Sequence, residues 1–171
     1  MTPTWTGFLH SSGSPGLKIQ IGGLLPNTAQ EFDAIVDTGF SGFISMPLVK
    51  AFPLALVLLG TTNVTFGDGS SSTRITALGV STVQSEARTG VIILEPSGRD
   101  ILIGMDFLKK FGRVVIVHPN MPGIALVDEK LIDQFIAQAQ AQAAKDAADN
   151  QIAASPEPTP PSPPSEPSKS D

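Results

Sequence analysis

Up to about residue 137 the chain runs in short apolar stretches rich in Ile, Val, Leu, Thr and Phe, each broken by Gly, Pro, Asn, Asp or Ser. That rhythm belongs to a mostly β domain. It predicts strands over 17–21, 32–36, 42–45, 63–66, 73–83, 90–94, 101–103, 113–117 and 124–127, with short helices over 47–52 and 105–111 between them. Pro47 suits the opening turn of the first helix and Pro53 its end. In FGDGSSS, Asp68 and Gly69 sit between two strand-like runs, a strong hairpin signal.

Beyond this region the pattern changes. Leu131, Ile132, Phe135 and Ile136 fall at helical spacing behind Asp128, a candidate N-cap, and predict a helix over 128–148. The stripe either packs on the domain or reaches a partner subunit, and its Ala- and Gln-rich continuation has little to bury. Residues 149–171 are Pro- and Ser-rich, with seven prolines among the last seventeen positions. Such a segment cannot offset its ordering entropy and is expected to be a disordered, partly polyproline tail.

Composition narrows the function classes. The chain has 171 residues, 41% of them apolar and 16% charged, which allows a single domain of about 127 residues with a core of its own. A formal charge of -5 offers no footprint for nucleic acid or an anionic membrane. The absence of cysteine excludes disulfides, thiolate nucleophiles and zinc-thiolate sites. The N-terminus has neither a basic leader nor an apolar h-region, and the apolar ALVLLG is far shorter than the ~20 residues of a membrane span. A cytoplasmic location is the expectation.

Candidate chemistry lies in AIVDTGFSGFISMP, residues 34–47. Asp37 follows the apolar run Ala34, Ile35, Val36, where a carboxylate needs donors. Thr38 and Gly39 supply a hydroxyl and backbone amides in a loop that only Gly approaches closely. Alone, this tripeptide also fits an ordinary turn after a strand. ILIGMDFL, residues 101–108, changes the balance: three apolar residues run into Gly104 and then a short amphipathic helix, so a buried strand passes something that tolerates no side chain there.

The order of an Asp-Thr-Gly loop, a glycine-bearing hairpin and a hydrophobic-hydrophobic-Gly strand with its helix resembles the retropepsin-like aspartic proteases over roughly residues 15–127. The resemblance implies a retropepsin-like closed β barrel with a flap, working as a homodimer in which each subunit lends one Asp. In that family pattern Asp37, Thr38 and Gly39 are catalytic: Asp37 as acid and base, Thr38 bracing the two loops across the axis, Gly39 permitting the loop. Ile103 and Gly104 would support the loop from beneath. Phe66, Gly67, Asp68, Gly69 and Ser70 would form the flap over a peptide substrate, with Phe40 beside them. The implied activity is aspartic endopeptidase, with no cofactor and no metal.

There are departures. The family has Ala or Ser where this chain has Phe40, a bulky residue that either narrows the site or packs at the subunit boundary. The acidic residue and the Arg that pair near the viral interface are replaced by Ser41 and Gly42, and by Met105 and Asp106. The Gly-Met-Asp-Phe-Leu segment is closer to stand-alone bacterial retropepsin-like proteins. His10 and His118 are too isolated for a metal site or a catalytic triad, and HExxH, P-loop and GxGxxG motifs are absent. The rival reading is a catalytically inactive retropepsin-fold binding or assembly module that uses its groove or Pro-rich tail. Trimming of its own tail near 144–154 is a third.

Overall fold

Two short strands, β1 (Trp5–Thr6) and β2 (Phe8–Leu9), open the chain and precede β3 (Pro15–Gly22). In β3 the alternation is strict, with Leu17, Ile19 and Ile21 buried and Lys18 and Gln20 exposed. Then come β4 (Gln30–Val36), β5 (Ile44–Pro47), helix α1 (Leu48–Ala51), β6 (Val57–Thr65), β7 (Ser71–Val83) and β8 (Glu86–Glu95). The set closes with β9 (Ile101–Ile103), α2 (Met105–Phe111), β10 (Arg113–Val117), β11 (Ile124–Asp128) and α3 (Glu129–Ala153). This computed structural model describes residues 4–65, 67–117 and 123–153. Phe66, His118 and the Pro-rich tail from residue 154 onward lie outside the described residues.

Most strands form one eight-stranded sheet in the order β2-β3-β4-β9-β5-β8-β7-β6. A second pairing links β3 to β7 through Gln20↔Thr82, Ile21↔Ser81 and Gly22↔Val80. Hydrogen-bonded neighbours therefore run from β3 through β4, β9, β5, β8 and β7 back to β3. Strands β1, β11 and β10 make a separate three-stranded sheet. Central β5 is buried at all four residues, whereas edge strand β6 is exposed along nearly its whole length.

Two parallel pairs decide where the loops fall. β4 and β9 run side by side with Val36 opposite Ile103, so the residues that follow, Asp37 and Gly104, emerge at the same end of the sheet. β5 pairs antiparallel with β9 and parallel with β8, which sets Ser45 opposite both Leu102 and Ile93. Those three side chains form a row across the sheet.

The core joins both sheets through aromatic side chains. Trp5 meets Phe111 edge-on at 5.1 Å, Phe111 lies 4.6 Å from Phe107, and Phe107 lies 5.3 Å from Phe43. Phe43 lies against Gly90, where a Cβ would overlap its ring. The Arg113 guanidinium sits 4.2 Å from the Trp5 ring centroid and pairs with Glu86. A buried charge requires such partners, and removing one would strand the other.

β9, α2 and β10 have the bounds expected from sequence. Elsewhere the structure differs. β5 begins at Ile44 and ends at Pro47, which caps α1 with φ -58° and ψ 133° rather than opening its turn. Pro53 does not end the helix: it lies in a 3-10 turn, Phe52–Leu54, at an early position where its missing N–H costs little, and left-handed Ala55 ends the turn. β6 begins at Val57, not 63, because Gly60 at φ +140° lets the strand absorb a register shift between Leu58 and Gly60. β1 and β2 are two-residue strands that carry no period to read.

The chain divides into two units, residues 1–132 and 133–171. Helix α3 begins in the first, where the Asp128 carboxylate accepts a hydrogen bond from the Lys130 amide at 3.0 Å. In the second it continues past 148 to Ala153, in keeping with the helix propensity of its Ala and Gln residues.

Phe107 is fully buried while Val49 is 73% exposed. Phe107→Ala is expected to cost about 3–5 kcal/mol and Val49→Ala less than about 0.5. Urea unfolding midpoints measure both.

Candidate active site

Asp37 is half-buried at the end of β4, and Thr38 and Gly39 behind it are exposed. The Asp37 Oδ1 accepts a hydrogen bond from the Gly39 amide at 2.9 Å. The Asp37 amide donates to the Ile103 carbonyl at 3.0 Å, which extends the β4–β9 pairing by one step. The residue is thus held twice, its carboxylate by its own loop and its backbone by the neighbouring strand. The Thr38 hydroxyl makes no hydrogen bond among the described residues.

The start of α2 completes the clasp. Met105 donates its amide to the Phe40 carbonyl at 2.8 Å, and Asp106 donates to the Ser41 and Gly42 carbonyls, each at 3.2 Å. No side chain caps this helix, so the loop carbonyls take the place of a cap. A Cβ at Gly104 would overlap the Phe40 and Gly42 carbonyl oxygens. Backbone hydrogen bonds from Met105 and Asp106 to Phe40, Ser41 and Gly42 thus join the two segments.

Phe40 is half-buried. Its ring folds over Gly42 and Gly104, both of which leave space only because they lack a Cβ. It also forms part of the wall of a cavity of about 340 Å³ that contains Asp37 and Gly39. The cavity lining also includes Val64, Thr65 and Gly67 of the β6–β7 hairpin, the row Leu102, Ser45 and Ile93, and Glu95.

Of the residues expected to contact a substrate, Phe40 and Gly67 line this cavity. Asp68, Gly69 and Ser70 do not, and Phe66 lies outside the described residues. Those three form the hairpin tip instead: Asp68 Oδ1 accepts from the Ser70 amide at 2.9 Å and from its hydroxyl at 2.7 Å, with Gly69 at φ +82°. These two hydrogen bonds, the hydroxyl's first, hold the exposed Asp68 carboxyl below its usual range.

Val64, Thr65, Ser45, Ile93, Glu95 and Leu102 were missed in sequence. Part of the signal was present. Ile101 and Ile103 are buried, so Leu102 must face the other way, and the same parity puts Ile93 and Glu95 on one face of β8. A second cavity, of about 370 Å³, lies among Leu48, Phe52, Leu56, Leu58 and Ile75 and has no titratable or nucleophilic lining group. Among the described residues no group of three or more His, Asp or Glu could hold a metal ion, and no helix is long and apolar enough to cross a membrane.

No protein-family model matches the chain, and no curated protein matches it in sequence. Solved structures do. The fold is similar to that of EIAV protease complexed with an inhibitor, at TM-score 0.51 and 11% identity, over 63% of this chain and 97% of that one. A retropepsin-like aspartic protease from Rickettsia conorii aligns at TM-score 0.48 and 15% identity, over 72% and 90%. A Legionella pneumophila protein of unknown function aligns at 0.36 and 18%, over 57% and 87%. At 11% identity, what EIAV protease shares with this chain is the fold.

Gly104→Ala, which sets a methyl against two carbonyls, is expected to cost about 1–3 kcal/mol. Gly67→Ala, where nothing lies within 4 Å, should cost less than about 0.5. Thermal unfolding of the two variants reads the difference. Asp68 has a lowered folded-state pKa, so its stabilisation of the tip is present above the ordinary carboxylate range and is lost as pH falls through the lowered value. Exchange of the Ser70 amide should quicken, relative to the intrinsic rate, as pH falls below the ordinary carboxylate range, and Asp68→Asn should remove that pH dependence.

Proposed function

We propose that this chain is an aspartic endopeptidase that works as a homodimer and hydrolyses peptide bonds in extended polypeptide segments. The observation that carries the reading is Asp37 itself, a carboxylate oriented by the Gly39 amide and lining a cavity that the β6–β7 hairpin also lines, on a fold similar to a viral protease. In this reading residues 1–127 are the protease domain, the β3-to-β7 ring is a closed barrel, and the β6–β7 hairpin is the flap.

One chain carries one Asp-Thr-Gly, and one carboxylate cannot both remove a proton from water and deliver one to the substrate carbonyl. A second copy supplies the missing group. Two adjacent carboxylates cannot both ionise, so the dyad holds one proton between them. The ionised member takes a proton from a water as that water attacks the scissile carbonyl carbon, and the protonated member donates to the carbonyl oxygen. On collapse of the tetrahedral diol, the Asp that took the water's proton gives it to the leaving nitrogen while the other takes the proton of a diol hydroxyl, so the C–N bond breaks and the dyad again holds one proton. Exposed Thr38, whose hydroxyl is uncommitted among the described residues, would brace the facing loop. The peptide backbone would be held in strand-addition fashion between the hairpin and the Leu102, Ser45 and Ile93 row.

Cleavage of an unstructured peptide library is expected at acidic pH, with specific activity rising with protein concentration as dimer forms. Asp37→Asn should lower the rate by at least about 10³-fold while leaving sedimentation unchanged. Activity that persists in Asp37→Asn contradicts the assignment. A strict monomer that binds peptides without cutting them supports the binding module instead.

A further inference from the structure

The cavity at Asp37 is not uniformly apolar. The charged residues among those described in its lining are Asp37 and Glu95, and no Lys or Arg lines it. Glu95 ends β8, and its side chain is 21% exposed. Its Oε2 accepts from Arg74 Nε at 2.6 Å, approaching from β7, where Arg74 is also bound to the Ser72 hydroxyl and, at 3.3 Å, to the Thr73 carbonyl. Among the described residues, its Oε1 makes one long 3.5 Å contact, with the Ser45 hydroxyl. A carboxylate oxygen accepts more than one hydrogen bond, so Oε1 retains acceptor capacity beside the cavity.

We infer that Glu95 forms an acidic subsite that selects a substrate side chain with an apolar stem and a cationic end, that of Lys or Arg. The inference rests on the reading of this cavity as a peptide cleft. Ile93, Leu102 and Val64 supply apolar walls for the methylene stem, and Glu95 with the Ser45 hydroxyl receives the charged head. Arg74 moderates the field without abolishing the preference, because it engages Oε2 and stands outside the lining. An acidic side chain would meet Glu95 and Asp37 together and is rejected.

The test uses the full chain carrying Asp37→Asn, so that bound peptide is not consumed and Asp37 adds no charge. Fluorescent eight-residue peptides carrying Lys, acetyl-lysine, Leu or Glu at each position in turn are titrated by anisotropy. At one position Lys should bind about tenfold more tightly than acetyl-lysine or Leu, and Glu more weakly still, the preference shrinking as salt rises. Adding Glu95→Gln, which keeps an acceptor for Arg74, should bring Lys and acetyl-lysine together. The comparison of Lys with acetyl-lysine reads the subsite even where that variant folds poorly. Equal affinities at every position, a Lys preference that survives Glu95→Gln, or no binding of any peptide would overturn the inference. Lys-selective binding by a wild-type chain that cuts none of these peptides would contradict the endopeptidase reading and leave the subsite standing.

Discussion

The parallel register of β4 and β9 is the constraint on which the site depends. With Val36 opposite Ile103, the chain leaves the sheet twice at one end, at Asp37 and at Gly104. The two exits then share backbone hydrogen bonds: the Asp37 amide with the Ile103 carbonyl, the Met105 amide with the Phe40 carbonyl. Such contacts require the backbones to come closer than any Cβ at position 104 would permit. A carboxylate at the end of an apolar strand is tolerable because this clasp, and the Gly39 amide, fix it without burying it fully.

The same constraint accounts for Phe40. A phenyl ring at this position could have filled the cavity, but it packs against Gly42 and Gly104, where any Cβ would overlap it, and forms one wall among several. Behind the clasp, α2 is anchored by Phe107 and Phe111, and through Phe111 to Trp5 of the small sheet. Packing in the core and geometry at Asp37 are thus linked by a single short helix.

Much of this was legible in the sequence where a local rule decides. ILIGMDFL gives β9, Gly104 and α2 with the observed bounds, because three apolar residues, a glycine and an amphipathic turn admit few alternatives. The Asp-Thr-Gly loop was legible for the same reason. What was not legible depends on partners distant in sequence. β1 exists only by pairing with β11, and β6 extends back to Val57 because β7 reaches that far alongside it. Glu95 reads as a solvent-facing strand end until β5 and β7 bring Ser45 and Arg74 to it. Asp68 shows the converse: the turn chemistry was legible, but the tip it builds is not part of the cavity lining.

A second copy of the chain is what the proposed chemistry requires. In the proposed reading, the exposed Thr38–Gly39 edge of the loop and the single Asp37 of each chain would supply half of a dyad. The most direct measurement is a crystal structure of the full chain with a statine-type transition-state mimic. The account predicts a two-fold dimer in which the two Asp37 carboxylates lie about 3 Å apart around the hydroxyl of the mimic, beneath both β6–β7 hairpins. Asp37 residues held far apart, or a monomer with the mimic bound elsewhere, would contradict it.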